Sequence, residues 1–221
     1  MPEISIPNEW TPRPHQVGVL KAFDSGVKRF ALVWHRRAGK DSTMLNLTAK
    51  AMFQRPGNYW HLFPQLNQGR RALWGAVDAR GKPVLETVFP PEIRARTNNS
   101  EMMIELKNGS TWQLAGSDNY NSLVGSNPVG LVLSEWSLCD PRAWTYLRPI
   151  LQENGGWAAF IYTPRGKNHG YTLYNMAKKS DDWYAESLTV SDTKRGDGSP
   201  IITPAMIQAE RDQGMDEALI Q

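Results

Sequence analysis

The sequence has very little cysteine: Cys139 is the only one among 221 residues. A single cysteine excludes an internal disulfide framework and a zinc site built from several thiolates. The sequence also lacks an apolar run near the ~20 residues that a membrane-spanning helix needs. Its first ten residues lack the basic and apolar blocks of a secretory signal. We therefore expect a soluble protein of a reducing, cytoplasmic compartment.

Long charged blocks, repeats and low-complexity tracts are also missing, so nothing in the composition marks a linker between large domains. The 25 basic and 22 acidic residues give a formal net charge of +3. This balance permits contact with a polyanion but does not indicate a protein that coats DNA by charge alone. The hydrophobic content of 40% is enough to fill the core of one α/β domain.

Strand and helix patterns alternate along the chain, which predicts a mainly parallel sheet flanked by helices. Lys107-Asn108-Gly109, between two β-prone runs, predicts an antiparallel hairpin. The predicted strands are residues 29–34, 59–63, 102–106, 110–114, 128–133, 157–162 and 183–190. The predicted helices are residues 14–24, 42–53, 66–79, 141–152, 170–179 and 203–213.

The segment HRRAGKDS, residues 35–42, lies between a predicted strand and a predicted helix, as a phosphate-binding loop does. Lys40 at the helix start could reach the β and γ phosphates, while Gly39 lets the backbone approach them. The pattern GxxxxGK[ST] is incomplete, because Trp34 replaces its first glycine and Asp41 its hydroxyl residue. A magnesium ligand would then come from Ser42 or from the Asp41 carboxylate. The alternative is a solvated basic turn.

Polar residues follow two further predicted strands. Glu135 comes after residues 128–133, so its carboxylate is expected at the edge of the sheet where ligands bind; there it could polarise an attacking water. Ser134 takes the place where an aspartate commonly stands. Thr163 follows residues 157–162 and could contact the γ-phosphate, and the Gln16 amide could read adenine. Singly, each of these residues could equally be an ordinary surface or turn residue.

Together these segments resemble the ATPase domain of bacteriophage terminase large subunits, the motors that package viral DNA. The resemblance rests on PHQ at 14–16, HRRAGKDS at 35–42, LVLSEWS at 131–137 and YTPRGKNHGY at 162–171, and it spans nearly the whole chain. It implies a P-loop NTPase fold of the additional-strand, conserved-glutamate (ASCE) type. The implied division is an ATPase core at residues 1–166 and a lid or linker subdomain at 167–221, without the nuclease domain of that family.

The resemblance also implies roles for individual residues, with ATP and Mg²⁺ as cofactors. Lys40 resembles the phosphate-binding lysine, Arg36 the arginine that senses the γ-phosphate, and Glu135 the carboxylate that activates water. Thr163 lies in the motif that couples hydrolysis to lid movement, and Gln16 resembles the adenine-reading glutamine. The implied nucleotide-binding loop comprises Arg36, Arg37, Ala38, Gly39, Lys40, Asp41 and Ser42, with Asp41 or Ser42 as the magnesium ligand.

Terminase motors act as rings in which an arginine of one subunit completes the neighbouring site. Arg142 and Arg148 are the candidates for that arginine here, although either could instead be a helix surface residue that pairs with a carboxylate. The implied partners are double-stranded DNA, the portal of the procapsid and the small terminase subunit, in the host cytoplasm. The isolated chain could be monomeric. Phosphate contacts to DNA are expected from exposed basic residues such as Arg70, Arg71, Lys178 and Lys179.

Two other functions remain open at this point. A helicase-like ATPase of superfamily two shares the glutamine motif and the loop, but it needs a second motor domain. A nucleotide- or nucleic-acid-binding module that does not hydrolyse ATP would account for Trp34 in place of glycine and for Ser134 in place of aspartate.

Overall fold

The computed structural model describes residues 10–123 and 125–215. They form one eight-stranded sheet with helices on both faces. The strands are β1 (Arg29–Trp34), β2 (Asn58–Phe63), β3 (Arg94–Asn98), β4 (Met103–Leu106), β5 (Thr111–Gly116), β6 (Pro128–Ser134), β7 (Trp157–Tyr162) and β8 (Trp183–Leu188). The α-helices are α1 (Val17–Asp24), α2 (Lys40–Gln54), α3 (Leu66–Gly69), α4 (Val84–Val88), α5 (Pro141–Glu153), α6 (His169–Ala177) and α7 (Pro204–Asp212).

The strand order is β3-β4-β5-β2-β6-β7-β1-β8. All neighbours from β5 to β8 run parallel, whereas β3, β4 and β5 form an antiparallel meander. The carboxyl ends of β1, β6 and β7 therefore lie together at one edge, where ligands of such sheets bind. This arrangement confirms the predicted mainly parallel α/β fold and its hairpin at Lys107-Asn108-Gly109.

Two apolar layers enclose the sheet. Helix α2 places Met44, Leu45 and Met52 against one face. On the other face, α5 contributes Leu147 and Leu151 to a second cluster. Strands β6 and β7 are buried at every position, which explains why both read as continuous apolar runs.

The predicted helix at residues 66–79 is wrong beyond Trp74. Helix α3 continues into a π-helical turn at Arg70–Trp74, and the helix stops at Gly75, whose N–H bonds to the Arg70 carbonyl. Beyond it, Val77 pairs with Pro83 across a tight turn. Strand β3 was not predicted, because its polar, mostly exposed residues give no alternating apolar signal.

The last strand extends the sheet further along the chain than we expected. Strand β8 pairs in parallel with β1, from Arg29 opposite Trp183 to Trp34 opposite Leu188. Strand β8 thus belongs to the sheet although it lies within residues 167–221, and the division into an ATPase core and a lid stays a prediction. Residues 1–9, 124 and 216–221 of the two predicted domains lie outside the described residues.

Within the described part of the chain, no helix is both long and apolar enough to cross a bilayer.

Candidate nucleotide-binding site

The loop at residues 35–39 lies between β1 and α2, the strand–loop–helix arrangement that the sequence predicts. Gly39 caps the amino end of α2 with a left-handed φ of 84°. A Cβ at this position would approach the Gln16 amide nitrogen to 2.7 Å, so both conformation and space favour glycine here. The first-turn N–H groups of α2 thus adjoin Lys40, an arrangement that suits an anion.

Lys40 is buried, with an exposed fraction of 6%. Its ammonium donates hydrogen bonds to the carbonyls of Trp34 and His35, at 3.0 and 3.2 Å, and to Thr163 Oγ1 at 3.1 Å. Burial lowers the pKa of Lys40, and the nearby carboxylates of Glu135 and Asp41 partly oppose that shift. The structure therefore brings Thr163, which follows β7, directly onto the predicted phosphate-binding lysine.

Glu135 lies at the same edge of the sheet as Lys40. It follows β6 in a left-handed conformation, with φ 51°, that non-glycine residues adopt rarely. Burial raises the pKa of the Glu135 carboxyl, while the charge of Lys40 acts to lower it. Arg165 and Arg36 are also close enough to lower this pKa. The ammonium and the carboxylate thus share one charged site.

Asp41 is held by two residues from neighbouring strands. Its Oδ1 atom accepts hydrogen bonds from Ser134 Oγ at 2.6 Å and from His61 Nε2 at 3.2 Å. Burial acts to raise the pKa of Asp41, but the bonds from His61 and Ser134 and the charge of Lys40 outweigh it, so that this pKa is lowered. Asp41 is therefore ionised at neutral pH and contributes a fixed negative charge.

His61 is a site residue that the sequence analysis missed. It is fully buried on β2, and its ring stacks on Phe63 with 5.3 Å between ring centroids. A lone histidine within an apolar strand indicates nothing more than a core residue. The contact between His61 and Asp41 becomes visible only in the structure, where β2 lies beside β6 at the end of the loop.

Gln16 and His15 contact the backbone carbonyls of the loop between β1 and α2. The buried Gln16 amide donates to the carbonyls of Ala38 and Gly39, at 3.2 and 3.4 Å, and accepts from the Arg13 N–H at 2.9 Å. His15 Nε2 lies 2.9 Å from the same Ala38 carbonyl. Both ends of the Gln16 amide are thus engaged within the chain, so its role toward adenine stays a prediction.

The remaining residues of the loop lie in different surroundings, some in solvent and one beside a cavity. Arg36 and Arg37 are exposed, and Arg37 has a positive φ of 69°. Ser42 lines a separate cavity with Asp78. The alternative magnesium ligands therefore differ, since Asp41 faces β2 and β6 whereas Ser42 borders that other cavity.

The two candidate arginines lie at opposite edges of the sheet. Arg142 binds the Asp140 carboxylate, with bonds of 2.6 to 3.1 Å, and stacks over the Tyr120 ring. It borders a groove with Pro64 and Gln65, beyond the carboxyl end of β2. Arg148 instead borders a cavity with Arg29, at the amino end of β1.

No group of three or more histidine, cysteine, aspartate or glutamate side chains suited to a metal ion occurs among the described residues.

Comparison with known proteins finds terminase large subunits among the relatives, although no protein-family model matches the chain. The chain is 26% identical over 196 residues to the terminase large subunit of Escherichia phage T5, and 24% identical over 178 residues to that of Thermus virus P23-45. These matches cover 85% and 74% of this chain but 42% and 36% of the relatives. The chain thus spans less than half the length of the curated relatives it matches.

Solved structures agree with these relatives. The large terminase ATPase domain of Thermus phage P74-26 superposes with a TM-score of 0.66 at 17% identity, over 96% of this chain and 91% of that one. The large terminase of another thermophilic bacteriophage, in complex with ADP, gives 0.68 at 15% identity, over 93% of this chain and 50% of that one. The resemblance drawn from the motifs is confirmed: the chain is similar in sequence to phage terminase large subunits and has the ASCE-type P-loop fold of their ATPase domains.

Proposed function

We propose that this chain is the ATPase motor domain of a phage terminase large subunit, which hydrolyses ATP to move double-stranded viral DNA into a procapsid. The observation that carries the proposal is the meeting of Lys40, Glu135, Asp41 and Thr163 at one edge of the sheet. These residues follow the carboxyl ends of three separate strands, β1, β6 and β7. Together they bring one ammonium, two carboxylates and one hydroxyl to the same place.

The charges at this edge suit phosphoryl transfer to water. The Lys40 ammonium and the amino end of α2 hold the β and γ phosphates. Glu135 orients and polarises the attacking water, and its raised pKa makes it a stronger base than an ordinary glutamate. The charge of Arg36 acts to lower the pKa of Glu135, so this arginine is near the site. It adds positive charge where the transition state spreads negative charge.

Mg²⁺ fits the oxygen donors at the same edge, because it prefers carboxylate and hydroxyl oxygens together with phosphates. Asp41 would hold it, with the Ser134 hydroxyl beside that carboxylate. Bound there, the cation would neutralise charge on the phosphates.

Thr163 connects the lysine to the rest of the motor. Its hydroxyl accepts from Lys40, and its carbonyl accepts a 3.2 Å hydrogen bond from Ser137, two residues after Glu135. A phosphate that binds Lys40 competes with Thr163 for the ammonium. Loss of the γ-phosphate would therefore let the Lys40 ammonium bind Thr163 again, and this bond would change the loop after β7.

The partners follow from the same proposal: DNA, the portal, the small terminase subunit and further copies of the chain in a ring, within the host cytoplasm. Arg70 and Arg71, exposed after β2, and Lys178 and Lys179, exposed at the end of α6, remain the candidates for phosphate contacts. Such contacts are independent of base sequence and weaken with salt.

The test is ATP turnover by the parent chain and by Glu135→Gln, with DNA and procapsid portal present. We expect turnover by the parent and a loss of roughly 100-fold or more in the variant, while ATP binding is retained. Equal turnover by a folded Glu135→Gln variant would disprove the assignment. Tight ATP binding without turnover by the parent would favour a nonhydrolysing module, and strand separation would favour a superfamily-two helicase.

A further inference from the structure

The carboxylate and the hydroxyl at the site stand in each other's usual positions. In the common pattern a serine or threonine follows the loop lysine, and an aspartate precedes the catalytic glutamate at the end of another strand of the sheet. Here Asp41 follows Lys40, and Ser134 precedes Glu135. Their side chains meet all the same, with 2.6 Å between Ser134 Oγ and Asp41 Oδ1.

We propose that Asp41 and Ser134 form an exchanged magnesium-binding pair, in which the Asp41 carboxylate of the loop is the ligand and the Ser134 hydroxyl of the strand orients it, and that His61 also positions Asp41. The inference rests on the proposed function, because the cation would bind together with ATP. Exchange keeps the donor set unchanged: one carboxylate and one hydroxyl meet between the loop and β6, whichever residue carries which group.

The Asp41 carboxylate has the accessibility that a ligand needs. Its side chain is 30% exposed, whereas the hydroxyl that contacts it is on a fully buried residue. Both hydrogen bonds, from Ser134 and from His61, end on Oδ1. This arrangement fixes the direction of the carboxylate and leaves its Oδ2 atom for a cation.

His61 is suited to hold the carboxylate in place. The imidazole is fully buried, stacked on Phe63 and packed edge-on against Trp112 at 6.3 Å, so its ring plane is fixed by packing. Its Nε2 atom donates to Asp41 because the acceptor is an ionised carboxylate. A group that orients a metal ligand in this way commonly contributes ~10-fold or more to metal affinity.

A purely structural role for Asp41 makes a different prediction. An acidic residue in the first turn of a helix interacts favourably with the helix dipole, with or without a metal. In that case its replacement would change the stability of the fold but not the dependence of nucleotide binding on magnesium. The quantity that separates the two roles is the ratio of ATPγS affinities measured with Mg²⁺ and with a chelator.

The experiment measures this ratio for the full chain by equilibrium binding of ATPγS, with Mn²⁺ in place of Mg²⁺ to detect the bound metal by its electron paramagnetic resonance spectrum. We expect Asp41→Asn, which keeps the side-chain volume, to lower the ratio ~10-fold or more. The exchange variant Asp41→Ser/Ser134→Asp restores the common order of the two groups, and it should recover the ratio to within about threefold of the parent. Ser42→Ala tests the alternative ligand and would lower the ratio only if Ser42 held the cation. Asp24→Asn, at an exposed carboxylate that pairs with Lys50, is the control and should leave the ratio unchanged.

His61 is tested by two substitutions. His61→Leu removes the donor and should lower the ratio several-fold without a matching loss of metal-free ATPγS binding. His61→Gln keeps an N–H donor at the ε position and should recover part of the loss. A merely structural role would lower both affinities equally and leave the ratio intact.

The inference is overturned if folded Asp41→Asn keeps the parental ratio, or if Ser42→Ala loses it instead. It is also overturned if a folded exchange variant recovers nothing; if that variant does not fold, the result for Asp41→Asn decides. ATPγS binding by the parent that does not depend on Mg²⁺ would refute the metal pair but leave nucleotide binding intact. No ATPγS binding under either condition would refute the proposed function as well.

Discussion

At the scale of single residues, Lys40 connects the ends of two strands. All its hydrogen bonds join strand ends, namely the carboxyl end of β1 and Thr163 after β7. Replacement by methionine keeps the length of the side chain but removes the ammonium. We expect Lys40→Met to reduce ATP turnover by roughly 100-fold or more, because the charge that stabilises the transferring phosphoryl group is lost.

The control for this prediction is another lysine of the same helix. Lys50 is exposed near the end of α2 and pairs with Asp24 on the surface. Lys50→Met should leave ATP turnover within about twofold of the parent, since exposed ion pairs contribute little. An equal loss of turnover in both variants would point to a damaged α2 rather than to a lost phosphate contact.

Replacement of Glu135 is expected to have opposite effects on the stability and the activity of the protein. Its carboxyl pKa is raised in the fold by burial, so the folded protein binds this proton more tightly than the unfolded chain. The ionised carboxylate is therefore unfavourable to folding once the pH exceeds the ordinary value of about 4.3. We expect Glu135→Gln to abolish turnover yet raise the melting temperature at pH 7 by roughly 1–3 °C.

The same shift predicts the pH dependence of the parent. If Glu135 activates the water as proposed, turnover should fall as the pH drops through its raised pKa, at a pH above about 4.3. The measurement is kcat against pH between 5 and 8 at saturating ATP, with stability followed by circular dichroism. A melting temperature of Glu135→Gln below that of the parent would contradict an unfavourable buried carboxylate.

Sequence patterns identified the residues that motifs place at strand ends, namely Lys40, Glu135 and Thr163. They did not identify His61 or the contact of Ser134 with Asp41. Both depend on the lateral order of the strands, because β2 and β6 are neighbours in the sheet although β3, β4 and β5 all lie between them in the chain. Neither local spacing nor residue type carries that information.

At the scale of elements, the loop between β1 and α2 depends on the conformation of Gly39. Alanine at this position meets both a φ of 84° and a contact of 2.7 Å with the Gln16 amide. We expect Gly39→Ala to destabilise the fold by about 1–2 kcal/mol and to weaken ATPγS binding, because the loop must shift. Urea unfolding and equilibrium nucleotide binding measure the two effects.

Gly26 offers a matched comparison. It has a φ of 95°, but a Cβ there would have no neighbour within 4 Å. Gly26→Ala should therefore show the backbone cost of about 1 kcal/mol without any change in ATPγS affinity. If both alanine variants lost affinity to the same extent, the effect would be one of global stability and not of loop geometry.

The segment after β8 is joined to the same loop by a buried hydrogen bond. His35, the residue after β1, lies with Nε2 2.6 Å from the hydroxyl of Thr193, which is fully buried. Thr193→Val keeps the shape but leaves the imidazole without this partner. We expect a loss of about 1–3 kcal/mol in the free energy of unfolding, measured by urea denaturation.

Thr172→Val is the control, because the Thr172 hydroxyl bonds to the Asn168 carbonyl at an exposed position of α6. Its cost should stay within about 0.5 kcal/mol. If Thr193→Val were as mild as this control, the segment after Leu188 would not be coupled to the loop through His35.

The pattern of elements was predictable where local signals are strong. Alternating strands and helices and the Asn-Gly turn sufficed for a mainly parallel sheet with one hairpin. The position of β8 was not predictable, because a parallel neighbour is chosen by packing between distant segments and not by the strand's own residues. The π-helical turn at Arg70–Trp74 likewise has no distinct residue pattern.

At the scale of the whole molecule, the proposed ring requires a residue that one subunit supplies to its neighbour. Arg142 is at the edge of the sheet that carries Lys40, but Asp140 and Tyr120 hold its side chain within the subunit. Arg148 is at the other edge, beside Arg29.

Mixing two inactive variants distinguishes these arrangements. Arg142→Ala keeps its own Lys40 and Glu135 but supplies no arginine to a neighbour. Glu135→Gln cannot activate water in its own site but still supplies Arg142. If Arg142 acts on the neighbour, each variant alone should lose about 100-fold or more in DNA- and portal-stimulated turnover, and the mixture should regain a measurable fraction. Parental turnover by Arg142→Ala, with loss and complementation by Arg148→Ala, would transfer the role to Arg148. Loss in Arg142→Ala that the mixture cannot restore would mean that this arginine acts within its own subunit, where the bond to Asp140 already places it.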